Sequence, residues 1–120
     1  MTQSRFMKLC EAVRERVWEV STDEIAARLG RADALVLIDV REESEVALGR
    51  IKGAHAIGRG ILEHKVEQLF PDTATEIVLY CGGGSRSLLA GESLQRMGYT
   101  NVRSMAGGWR EWTAKKLPVE

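Results

Sequence analysis

Apolar positions along this chain follow two rhythms, short unbroken runs and recurrences every three or four residues, and each rhythm predicts a different element. Near the start, Phe6, Leu9, Cys10, Val13 and Val17 recur at helical steps. They predict one amphipathic helix over 3–19, with Lys8, Glu11, Arg14, Glu15 and Arg16 mostly toward water. Ser21 followed by Glu24 reads as a capping box opening a second helix, with Ile25, Ala26 and Leu29 inward and Gly30 as its stop. The run "ALVLIDV" (34–40) is nearly all apolar and β-branched, as a strand buried on both faces requires. A short helix (42–49), a short strand "AHAI" (54–57) and a helix (60–70) closed by Pro71 follow. "EIVLYC" (76–81) is a second central strand. Leu88, Leu89, Leu94 and Met97 then mark a helix over 86–97, with Gly98 where its terminal cap belongs. "NVRSM" (101–105) is a last strand, and "GGWREW" starts a short helix at a glycine pair.

Strands alternating with helices predict an α/β fold, a mostly parallel sheet covered on both faces. A length of 120 residues fits one domain with a modest core. The chain carries 17 basic and 17 acidic residues, so an anionic partner must be held by local geometry instead of a global field. That balance sets aside non-specific nucleic-acid binding. No apolar stretch has the length of a membrane span, and charges interrupt the first 20 residues too often for a signal peptide. Cys10 and Cys81 form neither a disulfide framework nor a metal-binding spacing, and a reducing cytoplasm is the expected location.

Candidate chemistry concentrates in "IVLYCGGGSRS" (77–87), where a central strand ends in a thiol, three glycines and Ser-Arg-Ser. In parallel sheets, sites form beyond the carboxyl ends of strands. A loop over Gly82, Gly83, Gly84 and Ser85 can curl so that its N–H groups converge beside a helix start, and glycine permits the backbone angles this needs. Such a nest favours thiolate over thiol, so Cys81 is expected to be ionisable, accessible and reactive. Arg86 closes the loop with a fork of donors suited to an oxyanion. A purely packing role for Cys81 would not call for three glycines.

Four segments together resemble the single-domain rhodaneses: "LIDVREESE" (37–45), "GRIKGAHAI" (49–57), "CGGGSR" (81–86) and "MAGGWREW" with "LPVE" (105–120). The resemblance covers about residues 20–120 and leaves 1–19 as an N-terminal helical extension that docks on the domain or mediates self-association. It implies a five-stranded, mostly parallel sheet flanked by helices on both faces. It also implies a sulfurtransferase that takes a sulfane sulfur from thiosulfate or a persulfide donor and passes it to a thiol or cyanide. Cys81 would be the nucleophile and persulfide carrier, and the backbone of 82–86 the cradle. No metal or organic cofactor is implied. The spacing from Cys81 to Arg86 is C-x4-R, whereas phosphatases of related architecture use C-x5-R, which would need arginine where Ser87 stands. A phosphatase or arsenate reductase is therefore the weaker reading. A sulfur-relay or regulatory module with little turnover is the other alternative.

The chain departs from the family's Gly-His-Ile-Pro-Gly-Ala turn at Arg50 and Lys52. Its thiol loop contains no basic residue before Arg86, so donor binding is expected to lean on amides and Arg86. Asp39 and Arg41 end a strand on the site's side of the sheet, and the resemblance implies that they tie neighbouring loops together. Arg59 is either an anion guide or a solvated loop arginine. His55 and His64 would matter only within reach of Cys81, as a cysteine hydrolase requires. Cys10 reads as core, or else as a resolving thiol. Trp109 and Trp112 read as packing over the sheet edge.

Overall fold

The computed structural model describes residues 3–120. Five strands form one sheet in the order β1-β5-β4-β2-β3, and every ladder between neighbours is parallel. They are β1 (Trp18–Val20), β2 (Val36–Asp39), β3 (His55–Ala56), β4 (Ile77–Tyr80) and β5 (Val102–Met105). The helices are α1 (Arg5–Arg14), α2 (Thr22–Gly30), α3 (Glu43–Val46), α4 (Leu62–Leu69), α5 (Ser85–Arg96) and α6 (Gly108–Ala114), with a 3-10 turn at Arg59–Ile61 before α4.

β4 is the centre because all four of its side chains are apolar or aromatic and all are buried. Side chains alternate across a strand, so Ile77 and Leu79 face one layer and Val78 and Tyr80 the other. The first layer holds Leu62 and Val66 of α4 and Ala90 and Leu94 of α5. The second holds Ile25 of α2 and Trp112 of α6. A third cluster joins Cys10 and Val13 of α1 to Val17 and Leu88, so α1 lies outside α5. Ser21 caps α2 by accepting from the Glu24 N–H at 3.0 Å.

Three expectations need correction. The single helix over 3–19 stops at Arg14, and Trp18–Val20 forms an edge strand paired with Arg103–Met105. Val17 sits at a helix-compatible spacing, but it is the buried entry to that strand. Phe6 and Leu9, placed on the buried stripe by their spacing, are 46% and 51% exposed, because α1 presses only Cys10 and Val13 on its neighbours. The strand at 54–57 shortens to two residues. Among the described residues no helix is long and apolar enough to cross a membrane.

Candidate active site

Cys81 follows directly on β4, and α5 begins four residues later at Ser85. The intervening loop turns around the sulfur. Its Sγ accepts from the N–H of Gly84 at 3.1 Å and of Ser87 at 3.4 Å, and the Ser87 hydroxyl lies 3.6 Å away. Gly84 makes the curl possible with φ +101°, a left-handed value that side chains with a Cβ resist. Two of the loop's carbonyls point away from it. Cys81 O accepts from Trp109 N–H at 2.8 Å and Gly82 O from Arg110 N–H at 3.0 Å, so the start of α6 docks on the outside of the loop. That docking explains the second glycine of the pair at 107 and 108, since a Cβ on Gly108 would collide with Cys81 O. With these two carbonyls engaged on α6, the amides of Gly84 and Ser87 face inward as an anion nest.

Burial alone pushes the Cys81 thiol up. The hydroxyl and N–H of Ser87 and the N–H groups of Gly84 and Gly83 outweigh it and hold the thiol below its ordinary range. Ser87 is itself fully buried and shares a 2.7 Å hydrogen bond with buried Ser104 on β5. A serine has one hydroxyl hydrogen, and that of Ser87 has Gly84 O at 3.2 Å within reach as well as the sulfur. When Ser87 points it at the sulfur, Ser104 can donate to Ser87 and keep the chain of donors directed at the thiolate. In the sequence Ser87 marks only the loop length, because its partner Ser104 lies 17 positions away on another element.

The same curl buries the sulfur. Cys81 is 1% exposed, whereas the loop chemistry in the sequence predicts an accessible thiol. The amides approach the sulfur closely enough to stabilise charge only by wrapping around it.

Arg86 also differs from expectation. Its fork donates to both oxygens of Glu45 on α3, at 2.7 and 3.1 Å. Glu45 Oε1 also accepts from the Glu42 N–H at 3.0 Å, which caps α3. The Arg86 pairing, set against desolvation, brings Glu45 down to about 2. Glu45 first, and the Cys81 sulfur after it, keep Arg86 protonated against the opposing effect of burial. Arg86 is thus held by a carboxylate on α3, and its charge is largely spoken for.

Asp39 and Arg41 form a buried frame beneath the loops. Asp39 accepts from the Arg41 N–H at 3.0 Å and from its guanidinium at 2.8 Å. Arg41 donates onward to Gly49 O at 2.7 Å and lies 4.5 Å from the centre of the Trp109 ring. This links the 49–54 turn to α6, with Trp109 a participant that its spacing did not reveal. Arg59 bonds Glu63 at 2.7 Å, and that carboxylate also accepts from Ser93 at 2.6 Å. Neither histidine bonds the thiol: His55 meets Phe70 edge-on at 5.2 Å, and His64 shares a 3.3 Å hydrogen bond with Gln68. Cys10 is buried beside Val13, Val17 and Leu88, away from Cys81's layer.

The family model for the rhodanese-like domain matches residues 21–115. Among similar proteins, the thiosulfate sulfurtransferase GlpE of Actinobacillus succinogenes is 32% identical, covering 95% of this chain and 93% of its own length. Human thiosulfate:glutathione sulfurtransferase is 34% identical, covering 81% of this chain and 94% of its own. A solved structure from Rhodopseudomonas palustris, described as a protein of unknown function and possible tyrosine phosphatase, superposes with a TM-score of 0.85 at 27% identity. It covers 100% of this chain and 99% of that one.

Proposed function

Because this chain belongs to the rhodanese-like domain family, we propose that it is a sulfurtransferase whose Cys81 carries sulfur as a persulfide between an anionic donor and a thiol or cyanide acceptor. The observation that carries this reading is the Cys81 sulfur, bonded by loop amides at 3.1 and 3.4 Å and followed by arginine at the C-x4-R spacing. With thiosulfate, the thiolate attacks the outer sulfur. A new S–S bond forms, the donor's S–S bond breaks, and sulfite leaves with the bonding pair. Cys81 keeps the outer sulfur as a persulfide anion, which the amide nest stabilises as it did the thiolate. The acceptor then attacks that terminal sulfur and restores the Cys81 thiolate, a double displacement with ping-pong kinetics.

Burial of the sulfur requires an opening step. The part-exposed Glu45–Arg86 pair is the element beside the sulfur best able to yield, because surface ion pairs exchange readily with water. Asp39 and Arg41 act as the fixed frame, and Arg59 as an outer residue paired with Glu63.

The test is thiocyanate formation from thiosulfate and cyanide. Wild type turns over, and Cys81→Ser falls to the uncatalysed background; equal rates in the two would sink the mechanism. The buried sulfur and the engaged Arg86 also favour a relay module with slow turnover. An intact-mass gain of one sulfur on Cys81 with negligible thiocyanate would select that reading. Aryl phosphatase activity is not expected, because Ser87, with its hydroxyl in the thiolate's hydrogen-bond chain, occupies the position where the longer loop has its arginine.

A further inference from the structure

Four arginines stand at or near the carboxyl edge of the sheet around the thiol loop. Three are matched with carboxylates: Arg41 with Asp39, Arg59 with Glu63 and Arg86 with Glu45. The fourth, Arg110, is exposed, and among the described residues no carboxylate pairs with it. Its place is fixed by its own backbone, whose N–H donates to Gly82 O at 3.0 Å. Its guanidinium lies over Gly83. A Cβ on that residue would stand 3.2 Å from Nη1 and 3.8 Å from Cζ. Gly83 does not have the left-handed φ of Gly84, so its backbone angles do not demand glycine. The missing side chain instead leaves the seat that Arg110 occupies on the rim of the nest.

We propose that Arg110 is the donor-recognition cation of the Cys81 site, selecting small anionic sulfur donors. The inference rests on the sulfurtransferase reading and supplies what that reading lacks. A thiosulfate dianion approaching a thiolate meets like charge on a protein whose net charge is zero. Arg86 is already balanced by Glu45. Arg110 is the free positive charge at the loop, placed to offset repulsion as the donor arrives and to hold sulfite as it departs. The donor's S–S bond breaks to release sulfite, the Cys81–sulfur bond forms, and three negative charges stand on each side of the step. Because Arg110 lies on the rim, it acts on the approach and hold of the anion more than on the sulfur's own reactivity.

The test uses the full chain with Arg110→Ala, Arg110→Lys and Arg110→Glu. In the thiosulfate–cyanide assay, Arg110→Ala is expected to raise KM for thiosulfate about tenfold, with kcat within about twofold of wild type. Arg110→Glu is expected to raise KM further and Arg110→Lys to stay near wild type. An unchanged KM in Arg110→Ala, while wild type turns over, overturns the proposal. Alkylation of Cys81, assigned by peptide mass, provides a second readout that needs no sulfur transfer. Arg110→Ala is expected to lower the rate with anionic iodoacetate about fivefold relative to neutral iodoacetamide. Equal losses with both reagents would mark Arg110 as structural and overturn the proposal. Should wild type form no thiocyanate at all, the sulfurtransferase reading fails, and the alkylation ratio still decides whether Arg110 guides anions to this sulfur.

Discussion

At the scale of single residues, the chemistry of Cys81 depends on one hydroxyl that is invisible from the outside. Ser87 brings both its N–H and its hydroxyl to the sulfur, and the hydroxyl is bonded in turn to Ser104 and to Gly84 O. Removing the hydroxyl takes stabilisation from the charged form alone, so the Cys81 midpoint must rise. Hydrogen bonds to charged groups are worth enough for a shift of about one pH unit. Iodoacetamide alkylation of Cys81 followed against pH should show a midpoint below the ordinary thiol range in wild type and a higher one in Ser87→Ala. Coincident profiles would remove Ser87 from the account. The thiol and its glycines are readable in the sequence because their relationship is local: a strand end, a flexible curl and a helix start lie within seven residues. The fate of Arg86 is not readable, since its carboxylate lies 41 positions away on another element. Nor is the role of Arg110, which reaches the loop only because α6 docks there.

At the scale of elements, periodicity located the helices and the central strands but misassigned the segment around Val17. Steps of four residues from Val13 to Val17 satisfy a helix, while "VWEV" is equally strand-like, and pairing with β5 decides between them. Local pattern carries no information about that pairing, because Trp18 aligns with Arg103. The same junction explains a glycine inside α5. Alanine is usually better than glycine within a helix by up to about 1 kcal/mol. At Gly91, however, a Cβ would stand 2.9 Å from a methyl carbon of Val17, which is buried and β-branched and has little freedom to move. Overpacking should win. Gly91→Ala is expected to destabilise by about 1–2 kcal/mol, read as a lower urea midpoint with an unchanged slope. A gain in stability would show that α1 and β1 can shift away from α5.

At the scale of the whole molecule, α1 completes the cover over α5 without entering the main layers. Its contribution is the burial of Cys10 and Val13 against Val17 and Leu88. A chain starting at Glu15 keeps the sheet and the thiol loop but loses both side chains and exposes Leu88. The expected cost is about 3 kcal/mol. Chemical denaturation would measure it, and thiocyanate formation below the new transition should persist, because no residue of α1 bonds the loop. An undiminished midpoint would mean that α1 is not held by this cluster. The order of the strands was beyond reach of the pattern, yet it governs how the protein is made. β1 is an edge strand whose sole neighbour is β5, and α1 rests on α5. As the ribosome releases the chain, α1 emerges well ahead of α5, and β1 must wait without its partner until residue 105 has been synthesised. The exposed Trp18 and the apolar face of α1 are then the surfaces that a nascent-chain chaperone would meet.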